Sequence, residues 1–412
     1  MRTNHAGLAY ADAAGHVFFD EGSIALADGG FVRAPLPEEL IPAPPGTVNA
    51  LLPGRMPLVA GRDGAARAAT RRTALAVFLP AGYTRLLLPA YRVRAGAPVL
   101  PLFGYTFACA VDDQLHVAAM RTDSSEDWRP RYFAEGELET AISVRRAEDP
   151  ANRVLAQVAL CAREYGCFTA QNVFLRRGEA ALPVSPACNA RCLGCISELD
   201  DDAGIPSPQT RITYEATADE LARVALAHLE RVPDAIVSFG QGCEGEPLLR
   251  VTAILRAIEQ IRAATSAGTI NINTNGSLPK SLGRLIDAGL DAARISLNSF
   301  QPSVYAAYYR PAGYALDDVL ESARLASAAG LRVSLNYLTH PGVTDSRPEV
   351  EAADRFLSET RVDMVQTRTL NIDPLRYFEA VGRPLEPPLG MREALARITS
   401  AGVQLGNFTH AH

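Results

Sequence analysis

Hydrophobic and polar positions change their rhythm near residue 180. Downstream of it, short apolar runs alternate with longer stretches in which apolar residues recur at three and four positions. The runs at 180–184, 235–239, 269–274, 293–297, 332–337 and 362–367 predict strands. The stretches at 218–229, 248–265, 278–288, 316–329 and 348–360 predict helices. Such alternation predicts parallel strands joined by right-handed crossovers. Upstream, residues 1–150 carry short apolar runs at 17–19, 75–79, 85–88, 105–110 and 115–119, separated by Gly, Pro and Asp turns. That pattern predicts a β-rich unit, with the proline-dense 35–53 as an extended loop. Residues 151–179 read as a connection, with a helix over 152–165 carried by Val154, Leu155, Val158, Leu160 and Ala162. Residues 371–412 read as an extension with a Pro-rich start and one helix at 391–401.

Composition narrows the function classes. The chain has 412 residues, 48% hydrophobic and 21% charged, which suits two or three core-forming domains. The net charge of -6 and the lack of a Lys/Arg block argue against a nucleic-acid binder that works by neutralising phosphates. No apolar run reaches 18 residues and residues 1–20 contain no apolar h-region, so neither a membrane span nor a signal peptide is expected. A reducing, cytoplasmic setting follows, in which seven cysteines are ligands or buried thiols rather than disulfides. The patch Trp128-Arg129-Pro130-Arg131-Tyr132 and the terminal His410 and His412 read as surface features.

The candidate chemistry lies on the loop after the run at 180–184. Cys188, Cys192 and Cys195 stand there at a C-x3-C-x2-C spacing. Three thiolates this close can bind three irons of a four-iron cluster and leave one iron open to another ligand. A structural zinc site is the competing reading, but it wants four protein ligands, and the next Cys or His residues are His228 and Cys243. A second metal on Cys109, Cys161 and Cys167 competes with the plainer reading of buried thiols.

This spacing, on this kind of loop, resembles the signature of the radical S-adenosylmethionine (radical SAM) superfamily. The resemblance implies a partial (β/α)6 TIM-like barrel over residues 180–370, behind a β-rich N-terminal domain of unassigned role. It also implies a 4Fe-4S cluster on Cys188, Cys192 and Cys195, with S-adenosylmethionine on the open iron. Reductive cleavage then gives a 5′-deoxyadenosyl radical that abstracts hydrogen from the substrate. The family has an aromatic residue before the third cysteine, and here that residue is Gly194. Gly245-Glu246-Pro247 matches the last three positions of the family's Gly-Gly-Glu-Pro-like element, which binds the cofactor's amino group. Asn275, Ser296 and Asn298 resemble the polar strand ends that face its ribose and carboxylate, and Arg294 is a further candidate for the carboxylate. A flavodoxin or ferredoxin electron donor is implied by the family alone.

In barrels of this type the chemistry sits at the C-terminal strand ends. That rule selects Asn336, His340, Gln366 and Arg368 as substrate candidates, with Asn371, Asp373 and the loop Tyr308-Tyr309-Arg310-Pro311 beside them. The first expectation is a small-molecule substrate. A peptide- or protein-modifying enzyme, a maturase or activase whose substrate is read by the N-terminal domain, is the second. A non-catalytic binding protein stabilised by zinc or a cluster is the rival from another class.

Overall fold

The computed structural model describes residues 6–123, 134, 136–232 and 234–407. The Trp128–Tyr132 patch and the terminal histidines lie outside the described residues.

The half from residue 179 onward is a single parallel sheet in sequential order. Its strands are β1 (Glu179–Leu182), β2 (Ile236–Phe239), β3 (Thr269–Thr274), β4 (Ala292–Leu297), β5 (Arg332–Thr339), β6 (Met364–Thr369) and β7 (Gln404–Gly406). The six predicted strands are present, and β7 adds a seventh after the predicted C-terminal helix. The crossover helices are α1 (Ala218–Leu229), α2 (Val251–Ala264), α3 (Pro279–Asp287), α4 (Pro302–Tyr309), α5 (Leu316–Ala328) and α6 (Arg347–Glu359). Two more, α7 (Pro374–Val381) and α8 (Met391–Ser400), follow β6.

Local chemistry starts and stops these elements. Thr217 caps α1 in a reciprocal box with Glu220. Pro279, Pro302 and Pro374 open α3, α4 and α7, where the missing N–H costs nothing. The strands alternate with period two, and their register aligns like with like. Val237, Phe239, Ile270, Ile272, Ile295, Leu297, Val333 and Leu335 are buried apolar positions. The intervening positions, among them Ser238, Asn271, Asn273, Arg294, Ser296, Asn336, Gln366 and Arg368, are polar. The pairings Ser238↔Asn271, Asn273↔Arg294, Ser296↔Asn336 and Asn336↔Gln366 place these on a common face. Apolar side chains therefore meet the helices, and the lumen is left polar.

The first 121 residues contain an eight-stranded antiparallel sheet and two three-stranded sheets. The 35–53 stretch is not wholly a loop: Leu40–Pro42 and Val48–Leu52 pair as strands with Gln114–Arg121 and Thr73–Phe78. Helix Arg153–Glu164 forms near its predicted place, with Asn152 as its cap. Helices Glu137–Glu148 and Phe168–Leu175 were not predicted. The first of these lies within the 1–150 span, yet ties to α1 through Arg145 to Arg223 O and through the Arg223–Asp149 pair just beyond its end.

The β unit is bonded to the barrel at the C-terminal side of β5 and β6. Buried Arg55 pairs with buried Asp373 at 2.7 Å, and Asp373 also accepts from Leu100 N. Arg85, fully buried, donates to the carbonyls of Tyr105, Thr339 and Leu370. Gly30 and Gly342 touch backbone to backbone: a Cβ on Gly342 would lie 2.6 Å from Gly30 Cα, so neither position tolerates a side chain.

Candidate functional site

The cysteine loop leaves β1 and is fixed at both ends. At its root, the Glu244 carboxylate accepts from Val184 N, Ser185 N and Gln241 N, each at 2.7 Å. Burial pushes this carboxyl up to about 8. Gly245 N and Glu246 N donate to Ser185 O and Ala187 O. A Cβ on Gly245 would stand 2.0 Å from Ala187 O. The glycine of the Gly-Glu-Pro element is therefore required by contact with the cysteine loop itself. On the far side, Arg191 N and Leu193 N donate to Tyr309 O and Tyr308 O at the end of α4. The tyrosines at 308 and 309 thus lie on a helix, not on the loop expected from sequence.

Cys188, Cys192 and Cys195 line one cavity of about 570 Å³ at the C-terminal ends of the strands. Burial raises the Cys188 and Cys192 thiols, and for Cys192 the neighbouring Cys195 and Cys188 add to the rise. The three sulfurs therefore act on one another electrostatically. Arg211 donates to Cys195 Sγ at 3.4 Å. Cys167 also lines the cavity, but its thiol bonds to Thr169 and its thiol neighbour is Cys161. Cys161 and Cys243 share a hydrogen bond behind the loop, while Cys109 is buried in the N-terminal sheet. Among the described residues no group of three or more His, Cys, Asp or Glu is arranged to hold a single metal ion. Cluster thiolates each take a separate iron and need not converge on one point.

The polar candidates divide. Gly245, Glu246, Pro247, Asn275, Ser296, Asn336 and Arg368 line the cavity, as do Arg294 and Asn371. Glu246 is nevertheless committed internally. Its oxygens accept from Leu248 N, Thr274 Oγ1 and Asn275 N, and burial pushes it up to about 7. That carboxylate ties the ends of β2 and β3 together. Asn275 bonds to Asn189 beside Cys188. Arg294 pairs with Glu179 at 3.0 Å and bonds to Asn273.

Four candidates fall outside the cavity. Asn298, fully buried, donates to Tyr377 Oη; β4 ends at Leu297, so the alternation that would have carried it inward has ceased. His340 is fully buried against Tyr377 and Phe378, and burial holds its pKa well below the ordinary value. Gln366, buried on the lumen face two residues before Arg368, does not line the cavity, and its Oε1 accepts from Arg368. Asp373 serves the Arg55 pair and the cap of α7.

Sequence reading placed Tyr308 beside the later strand ends, yet it belongs to the cysteine loop. A Cβ on Gly194 would lie 2.9 Å from Tyr308 Oη. An aromatic side chain thus reaches the place next to the third cysteine from another element. No sequence signal gives this, because α4 and the loop are more than a hundred residues apart.

The radical SAM superfamily model matches residues 182–353, the span that runs from the end of β1 through most of α6. Residues 182–353 of this chain thus match a radical SAM domain. Superfamily enzymes use a 4Fe-4S cluster and S-adenosylmethionine, and the donor set fits them: three mutually coupled thiols on one loop, glycine-lined backbone and polar strand ends around one cavity. The chain is 30% identical over 183 residues to the FeMo cofactor biosynthesis protein NifB of Klebsiella pneumoniae, covering 40% of this chain and 38% of NifB. It is 28% identical over 228 residues to GTP 3',8-cyclase of Heliobacterium modesticaldum, covering 54% and 63%. A radical SAM methyltransferase structure from Sphaerobacter thermophilus matches at 17% identity and a TM-score of 0.38, covering 55% of this chain and 64% of that one. The chain thus spans between about a third and two thirds of the length of these relatives. Among the described residues no helix is long and apolar enough to cross a membrane.

Proposed function

We propose that this chain is a radical SAM enzyme acting on a small molecule held in the barrel lumen. The reading is carried by one observation: the three loop cysteines open onto the same cavity as the polar ends of β3 to β6. Cys188, Cys192 and Cys195 would hold the cluster. The backbone around Gly240 and Gly245, with Asn275, Ser296 and Arg294, would hold S-adenosylmethionine, and Tyr308 would stand in for the aromatic residue missing at Gly194. When bound, the reduced cluster supplies one-electron cleavage of the cofactor's sulfonium. The chain's own residues then have two tasks. The Glu244 and Glu246 brackets hold the cysteine loop and the β2 and β3 ends in fixed relation. The buried aromatic wall of Tyr305, Tyr308 and Tyr309 covers the loop and excludes water from it. The electron donor belongs to this proposal as a flavodoxin- or ferredoxin-type protein.

A small substrate is favoured because the N-terminal unit closes against the barrel mouth. A Cβ on its Gly104 would lie 2.6 Å from Thr369 Cγ2, next to the cavity-lining Asn371. The test is anaerobic reconstitution with iron and sulfide, followed by reduction with S-adenosylmethionine present. About four irons per chain and release of 5′-deoxyadenosine are expected, with both lost in Cys192→Ala. Bound zinc without iron or sulfide would sink the reading.

A further inference from the structure

The lumen has two unlike sides. Around β1 to β3 the polar groups are bonded to one another: Ser238 to Glu179, Asn271 to Ser238, and Asn273 to Gly240 O and Arg294. On β4, β5 and β6 a second set faces the cavity with few internal bonds. Ser296 and Asn336 are register partners, and Arg368 stands two pairings further along, opposite Leu338. The buried Oδ1 of Asn336 has no hydrogen-bond partner. Arg368 Nη2 donates to Gln366 Oε1 at 3.0 Å, and no carboxylate among the described residues forms an ion pair with it. Arg368 lines the cavity. Burial, then the nearby Arg294, lower its pKa to about 10, which still leaves it charged at neutral pH.

A charge withdrawn from bulk water calls for a counter-charge. Arg294 has one in Glu179; Arg85 is at least ringed by three carbonyl oxygens. Glu179 and Asp123 act on Arg368 only through space, without an ion pair, and the cofactors bring no net counter-charge. A four-iron cluster with three thiolates carries one net negative charge in its oxidised resting state, and S-adenosylmethionine carries one net positive charge, so the two cancel. We propose that Arg368, with Asn336 beside it, binds an oxyanion of the substrate, a carboxylate or a phosphate. This inference rests on the radical SAM reading for the identity of the remaining cavity occupants. Guanidinium recognition of an oxyanion is charge-assisted and directional, and the neighbouring Asn336 amide supplies a further donor. The anion would anchor the substrate on the side of the lumen away from the cysteine loop.

The test measures binding of inorganic phosphate and of malonate by calorimetry to the full chain, both cluster-loaded with S-adenosylmethionine and cluster-free. The wild-type chain is expected to bind at least one probe. Arg368→Gln should weaken that binding at least tenfold, Arg368→Lys should recover part of it, and Asn336→Ala should weaken it less. Preference for phosphate or for malonate assigns a phosphorylated or a carboxylic substrate, and either result supports the proposal. Wild-type protein that binds neither probe at about 10 mM, an affinity worth less than about 3 kcal/mol, overturns it. So does an Arg368→Gln chain that binds the probes normally but loses S-adenosylmethionine affinity, since the arginine would then serve the cofactor. Failure to load iron sinks the radical SAM reading instead, and the cluster-free measurement still decides on Arg368.

Discussion

Arg55 at the seam between the two units and Arg368 in the barrel lumen are both guanidiniums taken out of bulk water, and they are answered differently. Arg55 meets Asp373 at 2.7 Å and two backbone carbonyls. Arg368 meets a single amide oxygen and otherwise faces a cavity. The same division runs through the whole site. Glu244, Glu246 and Asn275 spend their bonds on the cysteine loop and the β2 and β3 ends, while Ser296, Asn336 and Arg368 spend few. Groups that are satisfied internally build rigidity, and groups left open are free for a ligand. The seam and the cysteine-loop side are thus architecture, and the β4 to β6 side is the part a substrate would complete.

Substitutions that break the first kind should cost folding free energy. The largest loss is expected for Arg55→Ala, which strands Asp373 as a buried, unpaired charge: about 3–5 kcal/mol, read by denaturant unfolding. Gly245→Ala should follow, at about 3 kcal/mol, because its methyl would occupy the space of Ala187 O. It should also abolish cluster loading, measured as iron per chain. Normal iron content in that variant would show the loop to be less tightly held than the geometry indicates.

A pH titration sharpens the comparison further. Burial raises the Glu244 carboxyl to about 8 from an ordinary 4.5. A carboxyl raised on folding stabilises the chain below its unfolded pKa, and that stability is lost as pH rises through the folded value. The cluster-free chain should therefore weaken between about pH 5 and about pH 8, by at most about 1.4 kcal/mol per pH unit from this group. Glu244→Gln should flatten that part of the slope. The smallest effects separate two neighbours on β4 that the sequence could not tell apart. Asn298→Ala should cost about 1–2 kcal/mol by orphaning Tyr377 Oη. Ser296→Ala should leave stability within about 0.5 kcal/mol and change only ligand binding.

Much of this was readable from residue order. Period-two runs between amphipathic stretches located six of the seven barrel strands and five of the crossover helices. The strand β7 was missed because Gln404–Gly406 is three residues long, too short to show a period. Helix α7 was missed because Pro374 reads as a loop signal, although at the first helical position it is a start signal. Among site residues within regular strands, Ser296, Asn336 and Arg368 reached the cavity as alternation required, while Gln366, two residues before Arg368 on the same face of β6, stops short of it. Asn298 and His340 did not reach it, because they lie past the ends of β4 and β5, where alternation no longer fixes direction.

The sequence by itself determined the three-cysteine loop, the parallel strand order and the polar lumen, since each follows from local spacing and from which side chains can face helices or water. Only the tertiary structure decided what those polar groups do. It joined Glu244 to the root of the cysteine loop, placed Tyr308 against Gly194 and gave Asp373 to Arg55, leaving Arg368 open. Such pairings connect residues far apart in the chain, and contact between them is set by packing, which no local pattern encodes.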